Sequence, residues 1–157
     1  MIFRAFLFCS VLLISACNSA SVIEETVGTH DIVGKVINAR TNTPVVSALV
    51  ILTLPQGTSW TLPSSFLLGY GYTDSNGNFH IPANPQSVKN LRYHRASIMV
   101  DAYHPDFKQS VEFIPRNKSN ESVVVKMQKG DVLKISSTAC TYNNTEICSI
   151  VSDYLGI

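Results

Sequence analysis

The chain has 157 residues, of which 12 are Lys or Arg and 11 are Asp or Glu, and 45% are hydrophobic. So even a charge balance argues against a nucleic-acid-binding protein, which concentrates basic residues, and the length suits one domain of ordinary size. The one local basic excess, Lys89, Arg92 and Arg95 around Tyr93 and His94, is too short for a phosphate-binding footprint and reads as a solvated loop leading into a strand.

The N-terminus places Arg4 ahead of an apolar run from Ala5 to Ile14, broken only by Ser10 and followed by the small residues Ser15 and Ala16. That is the plan of a secretory signal, since a spanning helix needs about 20 apolar residues and the chain turns polar at Asn18 and Ser19. Ile14-Ser15-Ala16-Cys17 resembles the bacterial lipobox, which implies cleavage after residue 16 and acylation of Cys17, with palmitate-class chains, as a lipoprotein. The competing readings are an ordinary signal cut near Ala16 or Ala20, with Cys17 incidental, and an uncleaved anchor. With three acyl chains, at about 0.8 kcal/mol per buried methylene, membrane attachment is effectively permanent. Asn18, where an Asp would retain the protein, resembles the pattern of lipoproteins transferred to the outer membrane, so the expected place is the cell envelope, facing the periplasm.

Loss of the signal leaves Cys17, Cys140 and Cys148. In an oxidising compartment Cys140 and Cys148, eight residues apart in a segment rich in Asn and Thr, are expected to form a disulfide that stiffens the C-terminal tail. A zinc site is the weaker alternative, because a closed site wants four ligands and the nearest histidine, His104, is far along the chain. No metal or other cofactor is expected.

Residues 17–30 are polar, lack a repeating face and read as a tether between lipid and domain. Residues 31–136 follow as short β-branched or aromatic runs separated by turn residues, and 137–157 as a disulfide-linked tail. Strands are expected at Ile32–Ile37, Val45–Leu54, Leu67–Thr73, Phe79–Ile81, Ala96–Ala102, Gln109–Ile114, Ser122–Met127 and Val132–Ser136. A long loop spans Pro55–Phe66, and Asp74-Ser75-Asn76-Gly77-Asn78 forms a tight turn in which Gly77 supplies positive φ. Glu146–Leu155 fits a short terminal helix with Ile147, Ile150, Val151 and Tyr154 on one side. Seven or eight strands without intervening helices predict an all-β, antiparallel sandwich.

Three segments in order, Ile32-Val33-Gly34-Lys35-Val36, Thr43-Pro44-Val45-Val46-Ser47-Ala48-Leu49-Val50 and Thr73-Asp74-Ser75-Asn76-Gly77-Asn78-Phe79, resemble the carboxypeptidase regulatory-like domain, a transthyretin-like sandwich of seven strands. The likeness covers roughly residues 31–128 and is most specific in the third segment. Ala96–Tyr103 resembles the family's next strand, with Ala102 where glycine is usual. The resemblance implies a fold and no reaction, because each motif has a mechanical role: Asp74 accepts bonds from its own turn, Gly77 takes a conformation closed to other residues, and Phe79 buries its ring between the sheets.

Catalytic sets are wanting. Asp74-x-Asn76-Gly77 looks like part of a calcium loop, but the twelfth position, where a bidentate Glu belongs, is Pro85. Against the 5-hydroxyisourate hydrolases, which share the transthyretin-like fold, Lys35 stands for the required His, Asn78 for the Arg, and the chain ends Tyr154-Leu155-Gly156-Ile157 in place of Tyr-Arg-Gly-Ser. There is no His-x-x-Glu of a metallocarboxypeptidase, and His30, His80, His94 and His104 lie in different elements. A self-made isopeptide bond has candidate parts in Lys35 with Asp101 or Glu112, but Ser122–Met127 offers no Asn. Trp60, Phe66, Tyr70 and Tyr72 gather around the long loop, either as a surface for sugar rings or a protein partner, or as strand residues in the core with Trp60 covering an edge. The expected function is a non-enzymatic interaction module held to the membrane by its lipid, with an envelope protein or a glycan such as peptidoglycan as partner. An enzyme of unrecognised type is the remaining alternative.

Overall fold

The computed structural model describes residues 25–56, 64–88, 97–115, 122–130 and 145–157. Its strands are β1 (Glu25–Val27), β2 (Ile32–Asn38), β3 (Leu49–Gln56), β4 (Ser64–Tyr72), β5 (Asn78–Ile81), β6 (Gln86–Val88), β7 (Ile98–His104), β8 (Phe107–Ile114) and β9 (Val123–Met127), followed by helix α1 (Thr145–Leu155). A three-stranded sheet β5-β2-β9 packs on a four-stranded sheet β4-β3-β7-β8, making a sandwich of seven strands, and β1 pairs with β6 in a separate ribbon. Every pairing is antiparallel except β2 with β9, which run parallel from Gly34↔Val123 to Asn38↔Met127.

The period-two pattern decides which face each residue takes. On β2, Ile32 and Val36 are buried while Val33 is exposed, and on β5 Phe79 and Ile81 point inward. β3 is apolar without alternation because both its faces are covered. Val50, Leu52 and Leu54 join the core between the sheets, whereas Leu49 and Ile51 lie in a second cluster with Tyr103, Ile147 and Val151. α1 therefore lies on the outer face of the four-stranded sheet, and its buried Ile147 and Val151 are one helical turn apart. It stops at Gly156, whose φ of 68° takes the left-handed turn that ends helices.

Several boundaries differ from the sequence expectation for identifiable reasons. The second sandwich strand begins at Leu49 and not Val45, because Ser47 adopts φ 57° and the stretch before it folds back on its neighbours. The loop expected at Pro55–Phe66 is shorter, since Pro55 still pairs with Ser65 and Gln56 with Ser64. Pro55 is tolerated there because β3 pairs with β7 only as far as Thr53, so its missing N–H faces no strand on that side. Glu25–Val27, expected in the tether, forms a strand too short to show a period in sequence. The expected strand Val132–Ser136 lies outside the described residues.

Candidate functional site

The residues that carry the fold motifs meet at one place. Asp74 Oδ1 accepts hydrogen bonds from the backbone N–H groups of Asn76 and Asn78, both at 2.8 Å, and Asn78 Nδ2 donates to Oδ2 at 3.3 Å. These bonds hold the Asp74 carboxyl below its ordinary pKa. Gly77, at φ 76°, donates to Asp74 O and accepts from Val36 N; a side chain there would also run into Val36 O at 2.6 Å. Thr73 ties in the second motif, as its Oγ1 donates to Val45 O at 2.7 Å and accepts from Ala48 N at 2.8 Å. Phe79 lies opposite Gly34, and a Cβ on Gly34 would come within 2.5 Å of its ring, so the glycine of the first motif makes room for the aromatic of the third. Asp74, Gly77 and Phe79 thus form a lock between turns and sheet, which Asn76 joins through its backbone N–H.

The aromatic residues of β4 have a different setting. Phe66, Tyr70 and Tyr72 are exposed at 43%, 46% and 54%, which corrects the reading that places them in the core. Gly69 and Gly71 lie opposite Leu52 and Val50 on the inner face, so Tyr70 and Tyr72, opposite Ile51 and Leu49, share the outer face with α1. The register shifts between Leu52 and Thr53, and Phe66 consequently lies opposite inward-facing Leu54 at the far end of the strand. Tyr72 packs against Tyr154 of α1 with ring centroids 5.8 Å apart, while the Tyr154 hydroxyl donates to Ser47 O at 2.7 Å. Partial burial pushes that hydroxyl's pKa up.

Phe66 and Tyr70 remain to line an open groove of about 720 Å³ along β4, the outer strand of its sheet. Its other walls are Leu67, Leu68 and Gly69, the segment Ile81–Asn84, and Glu146 at the start of α1. Asn84 Nδ2 donates to Leu68 O at 3.0 Å, joining the two long walls. Among the described residues that line it there is no Lys or Arg. Asn84 and the wall it belongs to escape sequence reading, because Pro82-Ala83-Asn84-Pro85 has the composition of any loop.

Asp101, considered above as part of an isopeptide bond, is 2% exposed on the helix-side face. It accepts a bond from Gln109 Nε2 at 2.9 Å, and the same Nε2 donates to Tyr103 Oη at 3.0 Å. Burial raises its pKa to about 6, and the Gln109 bond offsets part of that rise. Lys35 lies between inward-facing Gly34 and Val36 and so points away from the core on the opposite sheet, which separates it from Asp101. Among the described residues no group of three or more His, Cys, Asp or Glu is placed to hold a metal ion, and no helix is long and apolar enough to cross a membrane. Cys148, on α1, is disulfide-bonded. Cys17, Trp60 and Cys140 lie outside the described residues. No family model matches the chain, and neither a curated protein nor a solved structure matches it.

Proposed function

We propose that this chain is a lipid-anchored module of the bacterial cell envelope that acts by binding, with a sandwich of the carboxypeptidase regulatory-like kind as its scaffold and the β4 groove as its working surface. The observation that carries the reading is the exposure of Phe66 and Tyr70 along one concave surface. The lipobox-like Cys17 and the disulfide of Cys148 support an exported, membrane-held protein. The test is cross-linked co-purification from host envelopes of wild type against Phe66→Ala/Tyr70→Ala. Loss of a co-purifying component, protein or lipid, from the double variant is expected, and an unchanged profile of both refutes the groove as the binding surface.

A second reading, a glycan-binding lipoprotein, is favoured by the same rings, since aromatic faces stack on sugars. Retention on peptidoglycan, compared between wild type, Trp60→Ala and Tyr70→Ala, decides it, and equal retention of all three removes it.

A further inference from the structure

We propose that the surface engaged by the β4 groove is the headgroup layer of the bilayer that holds the Cys17 lipid, with Phe66 and Tyr70 seated in that layer. This rests on the lipid-anchored reading above and adds the orientation of the domain and the chemistry of what the groove meets.

Placement comes first. The tether enters the domain at the groove: a Cβ built on Gly28, at φ 71°, would come within 2.6 Å of Asn84 O and 3.7 Å of the Leu68 side chain, and both residues line the groove. Asp31, three residues on, fixes the same wall. Its Oδ1 accepts from Ala83 N at 2.9 Å, and its Oδ2 contacts His80 Nε2 at 2.7 Å. Gly28, where the chain meets the groove, is eleven residues from Cys17. Eleven residues span about 18 Å as a flexible coil. A domain of this size is about 35 Å across. A coil of that length is about half the width of the domain, so the face at its root stays near the lipid.

Chemistry comes second. Tyrosine, with an apolar ring and a wet hydroxyl, is enriched where membrane meets water. Tyr70 lines the groove together with Phe66, Leu67, Pro82 and Ala83, and no Lys or Arg is among the described lining residues. Such a surface favours interfacial burial of rings, so the contact does not require anionic headgroups. Addition of a peptide strand to β4 is the poorer fit. Leu68 O is already taken by the Asn84 amide and the strand is irregular at that point, both of which obstruct pairing along an edge.

The experiment uses the acylated protein purified from host membranes and reconstituted into phosphatidylcholine–phosphatidylethanolamine vesicles, with Tyr70→Cys or Val124→Cys labelled by an environment-sensitive dye. Val124 is 48% exposed on the outer face of the opposite sheet. Headgroup-level spin-labelled lipid is expected to quench the dye at position 70 several-fold more than at 124 in these vesicles, which hold no anionic lipid. Equal quenching at the two positions overturns the proposal while leaving the anchor intact. Quenching at position 70 that appears only with anionic lipid overturns it too, as does protection of that dye by soluble peptidoglycan fragments without lipid quenching. Purified protein lacking acyl mass removes the anchor reading and the proposal together.

Discussion

Gly34→Ala is the sharpest probe of the packing argued above, because its sign is at stake. Where the native backbone accommodates it, replacing glycine by alanine gains about 0.4–1 kcal/mol by restricting the unfolded chain. Gly34 has no positive φ to forbid a side chain. Its added Cβ, however, would sit 2.4 Å from Val123 O and 2.5 and 2.6 Å from Cζ and Cε1 of Phe79, where ordinary contact begins at 3.4 Å. The overlap is close to an ångström on two sides. Val123 O belongs to the parallel partner strand, and Phe79 is 3% exposed, so neither can swing away. Inserting a methyl into so filled a space costs about 1–3 kcal/mol, and we expect a net loss of about 2 kcal/mol. Urea unfolding of the Cys17→Ala chain expressed without residues 1–16 reads this as a lower midpoint with unchanged slope. Phe79→Leu in the same background should couple to Gly34→Ala by about 0.5 kcal/mol or more, since it relieves one of the two clashes. An unchanged or raised midpoint for Gly34→Ala would refute the close approach of β2, β5 and β9.

Three further outcomes follow from the geometry. Thr73→Val keeps shape but leaves Ala48 N–H and Val45 O without their partner, and should cost about 2–3 kcal/mol, against less for Thr73→Ser, which retains both bonds; equal unfolding midpoints for the two variants would contradict the assignment. Asp101 binds its proton more tightly folded than unfolded, so stability is full below about pH 4 and falls as pH rises through its folded pKa of about 6, by up to roughly 3 kcal/mol. Asp101→Asn should flatten that fall and stabilise the protein at pH 7, and a variant with the wild-type pH profile would show that Asp101 does not titrate as its burial implies. Tyr154→Phe removes the bond to Ser47 O and should loosen α1 by about 1 kcal/mol, read as faster amide exchange over 145–155 with β3 unaffected; equal exchange in both proteins would mean that the hydroxyl does not secure the helix.

The sandwich and its terminal helix were readable because their signals are local. Alternation marks β2 and β5, an Asp-x-Asn-Gly turn joins β4 to β5, and a four-residue spacing sets Ile147 and Val151 on one side of α1. What escaped depends on residues distant in sequence. The parallel pairing of β9 with β2 leaves no trace in either strand, and β1 is visible only through its partner β6, some sixty residues on. The exposure of Tyr70 and Tyr72 is the same kind of fact. Aromatic residues in a strand are equally compatible with core and surface until the neighbouring sheet is known, and the wall of the groove at Ala83 and Asn84 belongs to no strand.

The neighbouring sheet also explains why β4 cannot present itself otherwise. Its sequence from Leu68 runs Leu-Gly-Tyr-Gly-Tyr, and the glycines take the inner positions. There a Cβ on Gly69 would meet Ile81 Cγ2 at 2.8 Å, and one on Gly71 would lie 3.5 Å from both Ile81 Cγ1 and His80 O. A shift of one residue in register would exchange the faces and drive Tyr70 and Tyr72 into Ile81, which is 1% exposed in the core. Close contact between β4 and β5 therefore forces the tyrosines outward, and α1 closes over Tyr72 but leaves Tyr70 uncovered. At the other end of the same β4–β5 connection, Thr73, Asp74, Gly77 and Phe79 spend their polar groups and their volume on holding the turns. The turn motif is thus occupied with the fold, and the strand leading into it carries the exposed tyrosines, because small residues inside oblige large ones to face out.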